Sequence, residues 1–250
     1  MQNSLSWRIL VDGDPHEPSL ESEHGLSIWI EVNEHRILFD CGQTDMLTRN
    51  AGRLGVPLET VTTVVLSHGH YDHTGGFEAL DGILPPNTLI SAHPDVLRER
   101  FSRHVDGTVH AIGMPAASRV VIEKRCAHIR WVTEAHEIVP FVWVTGPIPR
   151  ISDFEDTGGS FWLDSTCTIP DPIEDDLALW IVEKECVDVF CGCAHAGIAN
   201  TIKAIHDTTG ARPIRNLIGG LHLRSASAER LTQTVAFLQK CRIKKLSPCH

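Results

Sequence analysis

The chain has 250 residues, 42% of them hydrophobic and 22% charged, and a formal net charge of −10. That length can bury a large core, while no apolar run approaches the roughly 20 residues of a membrane-spanning helix. The acidity argues against tight binding to a nucleic-acid backbone and leaves room only for a local basic patch.

The opening stretch, MQNSLSWRILVDGD, has no basic region followed by a long apolar core, so no signal peptide is read there. Of eight cysteines only Cys191 and Cys193 lie close together, at a spacing wrong for a zinc knuckle. Reduced thiols in a cytoplasmic protein are expected, several of them buried. The chain holds 15 histidines, and where they cluster matters more than the total.

In chain order, SWRILVD, LSIWIEV and HRILFD predict short strands, bounded by Gly13, Asn33 and Gly42. DMLTRNAGRLG sets Met46, Leu47, Ala51 and Leu54 at near-helical spacing, with Gly55 placed to end the helix. TTVVLS predicts a buried strand, and GGFEALDG and PDVLRERFSRH predict helices flanking the short strand TLISA. The stretch of about 100–130, most clearly Val105 to Ser118, mixes Gly, Pro, Ala and Ser like a loop or lid. IRWVT and IVPFVWVTG return to strand, and SDFEDTGGS and TIPDPIEDD are acidic, turn-rich connectors. The last third alternates: LALWIVE and VDVFCG are strands, AGIANTIKAIHDTTG a helix, IRNLIGG a strand, SAERLTQTVAFLQKC a helix and IKKLS a strand. This is a mixed α/β chain, expected as a single domain over 1–250, with no repeat or splitting linker.

One stretch stands out on that map. LSHGHYDHTGG packs His68, His70, Asp72 and His73 into six residues directly after the apolar strand TTVVLS. Ligands gather at the carboxyl ends of strands in α/β proteins. His68 and His70 are two apart and point to one side of an extended exit, and Asp72 and His73 can turn into the same space. Neutral imidazoles and a carboxylate suit zinc, and also iron or manganese. A solvated polar loop would not need an apolar strand to deliver it, nor the Gly75–Gly76 pair that lets backbone approach closely.

SHGHYDHTGG matches the HxHxDH motif of the metallo-β-lactamase superfamily. With LFDCGQT, TGPIPR, CGCAHAGIANT, IGGLHL and SPCH, it resembles a branch that includes archaeal dihydropterin–ribofuranosylaminobenzene phosphate synthases and uncharacterised metallo-hydrolases. The resemblance spans nearly the whole chain. It implies a four-layer αββα sandwich with a metal site at one edge, holding two zinc ions, with manganese or iron as alternatives.

Four clustered residues give two ions two ligands each, which is too few. His195 after VDVFCGCA and His222 after IRNLIGGL each follow an apolar strand and a glycine, and the family pattern matches at both. The expected division is His68, His70 and His195 on one ion, with Asp72, His73 and His222 on the other. The chain departs from the well-known hydrolases of the family. Its strand ends in CGCAH with no bridging aspartate, and TGPIPR lacks a histidine. Either His195 or Cys193 substitutes, or the second ion is weakly held. A cysteine ligand favours zinc over manganese, while a buried inert thiol is the simpler role for Cys193.

Asp40 in FDCG is, by the resemblance, a partner that fixes a ligand histidine's tautomer. The competing role is a turn-forming aspartate. His250 in SPCH is either a ligand or a substrate contact. Relatives continue past it, so the chain is either truncated or unusually short. Glu23 and His24 face the cleft or sit in an exposed polar loop. Arg150 in TGPIPR suits a phosphate or carboxylate, whereas Arg98, Arg100 and Arg103 read as a solvated helix face.

The reading is a metallo-hydrolase in which a metal-bound hydroxide attacks an ester or phosphoester, with Asp72 orienting the nucleophile. The substrate is expected to be a small anionic molecule. The alternative is a transferase like the synthases of the branch, with pyrophosphate leaving. A non-enzymatic metal sensor fits the intact ligand cluster poorly.

Overall fold

The computed structural model describes residues 4–14 and 17–250. In chain order the first strands are β1 (Leu5–Val11), β2 (Ser27–Val32), β3 (His35–Phe39), β4 (Thr63–Val65), β5 (Leu89–Ala92), β6 (Phe101–Arg103), β7 (Val109–Ala111) and β8 (Ile129–Trp131). They are followed by β9 (His136–Val139), β10 (Val142–Val144), β11 (Phe161–Trp162), β12 (Ala178–Val182), β13 (Val187–Cys191), β14 (Ile214–Gly219) and β15 (Lys245–Pro248). The α-helices are α1 (Met46–Leu54), α2 (Tyr71–Thr74), α3 (Ala116–Glu123), α4 (Ile198–Thr209) and α5 (Ala228–Lys240). No helix among the described residues is long and apolar enough to cross a membrane.

The chain divides into two compact units. The N-terminal unit takes the described residues up to Arg98, Ile112–Trp131 and the last two residues, Cys249–His250. The C-terminal unit takes Glu99–Ala111 and Val132–Pro248.

The N-terminal unit is built on a six-stranded sheet in the order β1-β2-β3-β4-β5-β8. The first three strands form an antiparallel meander, and β3, β4, β5 and β8 run parallel. Helix α1 buries Met46, Leu47 and Ala51 on one face and stops at Gly55, whose φ of 65° closes the helix in the left-handed conformation. Phe77, Leu80, Leu38, Val64 and Leu66 share its core.

The C-terminal unit is built on a second six-stranded sheet, β15-β14-β13-β12-β10-β9, and a small sheet, β11-β6-β7. Strand β13 is buried along its whole length, pairing antiparallel with β12 and parallel with β14. Helix α4 buries Ile198, Ile202 and Ile205 on one face and ends at Gly210, with φ of 67°. Helix α5 starts at Ser227, whose hydroxyl accepts the Arg230 N–H at 3.1 Å.

Several expectations change. GGFEALDG forms a 3₁₀ segment, Gly75–Leu80, rather than an α-helix. PDVLRERFSRH splits into a 3₁₀ turn, Pro94–Leu97, and strand β6. The stretch read as a loop or lid holds β7 and α3. IVPFVWVTG is two strands hinged at Phe141, whose φ is 71°.

Candidate metal centre

Strands β3 and β4 run parallel with Phe39 opposite Val65, so the residues that follow each emerge at the same sheet edge. Asp40, at φ 57°, donates its N–H to Val65 O at 2.9 Å and is fully buried. Its Oδ1 accepts the Ser67 N–H at 2.7 Å, and its Oδ2 accepts the Ser67 hydroxyl at 2.7 Å and lies 2.6 Å from His73 Nδ1. A carboxylate only accepts, so His73 carries its proton on Nδ1 and presents a lone pair at Nε2. The Ser67 hydroxyl has spent its proton on Asp40. It therefore accepts from His68 Nδ1, 2.9 Å away, and His68 also presents Nε2, 3.0 Å from His70 Nδ1. One buried carboxylate thus sets two imidazole tautomers.

The turn that follows is tight. A Cβ at Gly75 would lie 2.2 Å from Gln43 O, and one at Gly76 would lie 2.0 Å from Cys41 O. Cys41 N–H donates to His73 O at 2.8 Å, tying the donor turn to the chain after β3. Burial, then the neighbouring Asp40, pushes the Cys41 thiol well above its ordinary pKa, leaving it an inert packing residue.

His250 joins this group from the chain end. Its Nε2 is 3.1 Å from Asp72 Oδ2 and 3.2 Å from His73 Nε2, and Asp72 Oδ2 is 3.6 Å from His73 Nε2. Donors around one tetrahedral ion with bonds of 2.0–2.1 Å sit about 3.3 Å apart, so this triangle fits a divalent cation in spacing and in chemistry. Asp12 Oδ1 accepts the His250 N–H at 2.8 Å and fixes the tail. His24 stacks on His250 at 4.9 Å and brings Nε2 to 3.2 Å from Asp72 Oδ2. Glu23 serves the neighbouring loop instead. Its carboxylate accepts the Gln43 N–H at 2.9 Å and the Thr44 hydroxyl at 2.6 Å, holding that loop in place.

The C-terminal unit carries a second donor group, Cys193, His195 and His222, whose ligand atoms lie within 4.8 Å of one another. Strands β13 and β14 end in register, Cys191 opposite Gly219. A Cβ at Gly219 would be 2.0 Å from Cys191 O, and one at Gly220 would be 2.4 Å from Gly192 O. The two glycines let the strand exits touch backbone to backbone, and Gly220 N–H donates to Gly192 O at 2.8 Å. Ala194 at φ 52° and His222 at φ 45° turn the donors inward, bringing the two imidazoles to 4.4 Å between ring centres. Non-glycine residues in this conformation cost on the order of 1–3 kcal/mol each and persist where surrounding structure enforces them. His195 Nδ1 donates to Thr157 O at 2.8 Å, so its Nε2 carries the lone pair. Gly158 admits His222, because a Cβ there would be 2.1 Å from Cδ2.

Behind His195 lies a polar scaffold drawn from segments remote in sequence. Arg150 Nη1 donates to His195 O at 2.6 Å, and Nη2 donates to Ile173 O at 3.2 Å and to Pro172 O. These bonds tie the guanidinium to the backbone around His195. Asp176 Oδ2 accepts the Ala196 N–H at 2.7 Å. Burial pushes the Asp176 carboxyl up to about 7, with the Ala196 N–H opposing the shift and Cys193 adding to it. Arg100, read as a solvated helix position, is 1% exposed and pairs with Asp175 at 2.7 Å and Asp171 at 3.4 Å. Glu155 accepts the Ala199 and Asn200 N–H groups at 2.8 and 2.9 Å, closing the N-terminus of α4. The sequence signals for these residues were ordinary Asp, Glu and Arg in turn-rich segments, which carry no mark of burial.

Comparison with known proteins adds to this geometry. The sequence profile of the metallo-beta-lactamase superfamily matches residues 22–250. A 7,8-dihydropterin-6-methyl-4-(beta-D-ribofuranosyl)-aminobenzene-5'-phosphate synthase of Methanocaldococcus jannaschii is 30% identical over 261 aligned residues, covering 100% of this chain and 88% of that one. An uncharacterized protein of the same organism is 28% identical, covering 93% of this chain and 85% of its own length. Among solved structures, Tm1679, a metal-dependent hydrolase of the beta-lactamase superfamily, superposes with a TM-score of 0.80 at 26% identity, covering 100% of this chain and 88% of that one.

Proposed function

This chain belongs to the metallo-β-lactamase superfamily, and from that membership we propose that it is a metal-dependent hydrolase of a small anionic ester or phosphoester. The observation that carries the reading is the buried triangle of Asp72, His73 and His250 donors, 3.1–3.6 Å apart. The proposed ligand set is His68, His70, Asp72, His73, His195 and His222, with His250 added by that triangle. Zinc is the proposed ion, two per chain, because imidazole and carboxylate donors suit it. When bound, such ions polarise the electrophile and lower the pKa of coordinated water toward about 7.

The chain's own residues prepare the site. Asp40 holds the Nδ1 proton of His73 directly and that of His68 through Ser67. Thr157 O holds the Nδ1 proton of His195. Each of the three imidazoles is thereby committed to donate through Nε2 before any ion arrives, which removes a reorganisation cost from binding. Asp72 is the proposed catalytic carboxylate, binding through Oδ2 and orienting the attacking water. The proposal also takes the protein as cytoplasmic.

A second reading, a transferase like the synthase, is supported by the 30% identity that extends over the whole chain. Elemental analysis of the purified protein, followed by turnover assays on phosphoesters, carboxyl esters, lactones and the dihydropterin–arylamine coupling, separates the two. Hydrolysis of simple esters supports the hydrolase, and turnover only in the coupled reaction supports the transferase. Protein that holds no transition metal and turns over none of these overturns both.

A further inference from the structure

We propose that the cavity beside β1 is a second small-molecule site, one that takes an organic cation with an apolar body. The cavity measures about 570 Å³, a volume ordinary for ligand sites. Trp7, Leu20 and Leu54 give it apolar walls. Its charged groups are Arg8, Asp12, Glu17 and Glu21. All of these residues belong to the N-terminal unit, and none of the proposed metal donors lines the cavity.

Buried polar contacts hold the walls in place. Fully buried Asn50 of α1 donates through Nδ2 to Leu10 O at 2.8 Å and to Glu21 O at 2.9 Å, and its Oδ1 accepts the Glu21 N–H at 3.1 Å. Arg8 Nη1 donates to Leu54 O at 2.7 Å and ties the end of α1 to β1. The charges then sort. Glu21 is neutralised by Arg49 at 2.9 Å and Arg53 at 2.5 Å. Among the described residues no ion pair forms on Asp12 or Glu17, so the cavity keeps two carboxylates without a cation. Carboxylates and an indole face attract a cation, and apolar walls favour a hydrocarbon body.

Asp12 connects the cavity to the metal centre. Its Oδ1 accepts the His250 N–H at 2.8 Å, and His250 Nε2 lies 3.1 Å from Asp72 Oδ2. A cation on Asp12 Oδ2 holds the carboxylate in the orientation that anchors the tail. Occupancy therefore favours metal binding, and by linkage metal favours occupancy. This last step rests on the metal-dependent reading above.

The test is calorimetric titration of the full chain with phenylbutylamine, phenylbutanol and phenylbutyrate. The amine is expected to bind about tenfold more tightly than the other two. The Trp7 indole resonance, assigned with Trp7→Phe, should move as the amine is added. Glu17→Gln, at an exposed position, should weaken the amine severalfold and leave the alcohol unchanged. A wild type that binds no amine, or binds all three probes alike, overturns the proposal. So does a Trp7 resonance that stays still, or an amine preference that survives Glu17→Gln combined with Asp12→Asn. Chelator competition for zinc, with and without the amine, reads the link to the metal centre, and a severalfold gain in zinc affinity is expected. Equal zinc affinities overturn the link through Asp12 and leave the site standing. Protein that takes up no metal overturns the metal-dependent reading and leaves the amine titration unaffected. The comparison of probes needs no variant, so a variant that fails to fold does not shield the proposal.

Discussion

The two donor groups reach similar chemistry by different routes. In the N-terminal unit, His68, His70, Asp72 and His73 come from one turn, and a single buried carboxylate, Asp40, sets the tautomers of two of them. In the C-terminal unit, Cys193, His195 and His222 come from the ends of two adjacent strands, and glycine contacts bring them together. The first group depends on hydrogen bonding at one sheet edge. The second depends on close backbone approach, so it is sensitive to a single added methyl group at Gly219 or Gly220.

The largest expected effect is on the first group. Asp72→Ala should abolish turnover, by about a thousandfold or more, since charge stabilisation at a metal centre is worth several kcal/mol. The fold should survive. Asp72 lies in the first turn of α2, its carboxylate faces His24, His73 and His250, and no apolar cavity opens. Steady-state kinetics beside circular dichroism checks this, and an active Asp72→Ala enzyme with unchanged metal content would remove the proposed mechanism.

Next comes Gly219→Ala, aimed at the second group. Its φ is 124° and the new Cβ would meet Cys191 O at 2.0 Å, so backbone must move. A loss of about 3 kcal/mol or more is expected, seen as a lowered denaturation midpoint. Wild-type stability in this variant would show that the strand exits have slack.

Asp40→Asn tests the tautomer control of the first group. An amide can donate where the carboxylate only accepts, so the protons at His73 and Ser67 are no longer dictated. Metal affinity should fall about 10–100-fold in a chelator competition. Ser67→Ala breaks only the branch to His68 and should cost less. Equal losses in the two variants would mean that Asp40 acts through Ser67 alone.

A smaller effect concerns pH in the metal-free protein. The Asp176 carboxyl is raised from 3.8 to about 7, chiefly by burial. A raised acid binds more protons folded than unfolded, so its contribution is fully present at low pH. That contribution is lost as the pH climbs from about 4 to about 7 and is constant above. Asp176→Asn removes this slope, and denaturation of both proteins from about pH 5 to about pH 8 should show the wild type losing stability relative to the variant. Parallel curves would contradict the assignment. Smallest is Glu155→Gln, which keeps only one of the two acceptor oxygens at the α4 N-terminus and should cost about 1 kcal/mol, read from denaturation curves.

The strands that deliver the donors were readable because buried strands are short runs of Val, Ile, Leu and Phe closed by turn residues, as in VDVFCG and IRNLIGG. Helix α3 was not, because Val120, Val121 and Ile122 are β-branched and follow Pro115, a combination that favours other conformations locally. PDVLRERFSRH has helical composition, yet Phe101–Arg103 pairs with β11 and β7, and Arg100 is buried against Asp171 and Asp175. Both are cases of tertiary pairing overriding local preference.

By itself the sequence determined which donors exist and which strand ends carry them, since side-chain chemistry and hydrophobic period are properties of the chain. His68, His70, Asp72 and His73 stood out as candidates that way, and His195 and His222 did so once the family resemblance was added. Only the tertiary structure decided that Asp40 reaches both Ser67 and His73, that His250 and His24 close on Asp72, and that Arg150 bonds the His195 carbonyl. Those are contacts between residues remote in sequence. Their distances depend on sheet register and close backbone approach, which leave no local trace in composition or spacing.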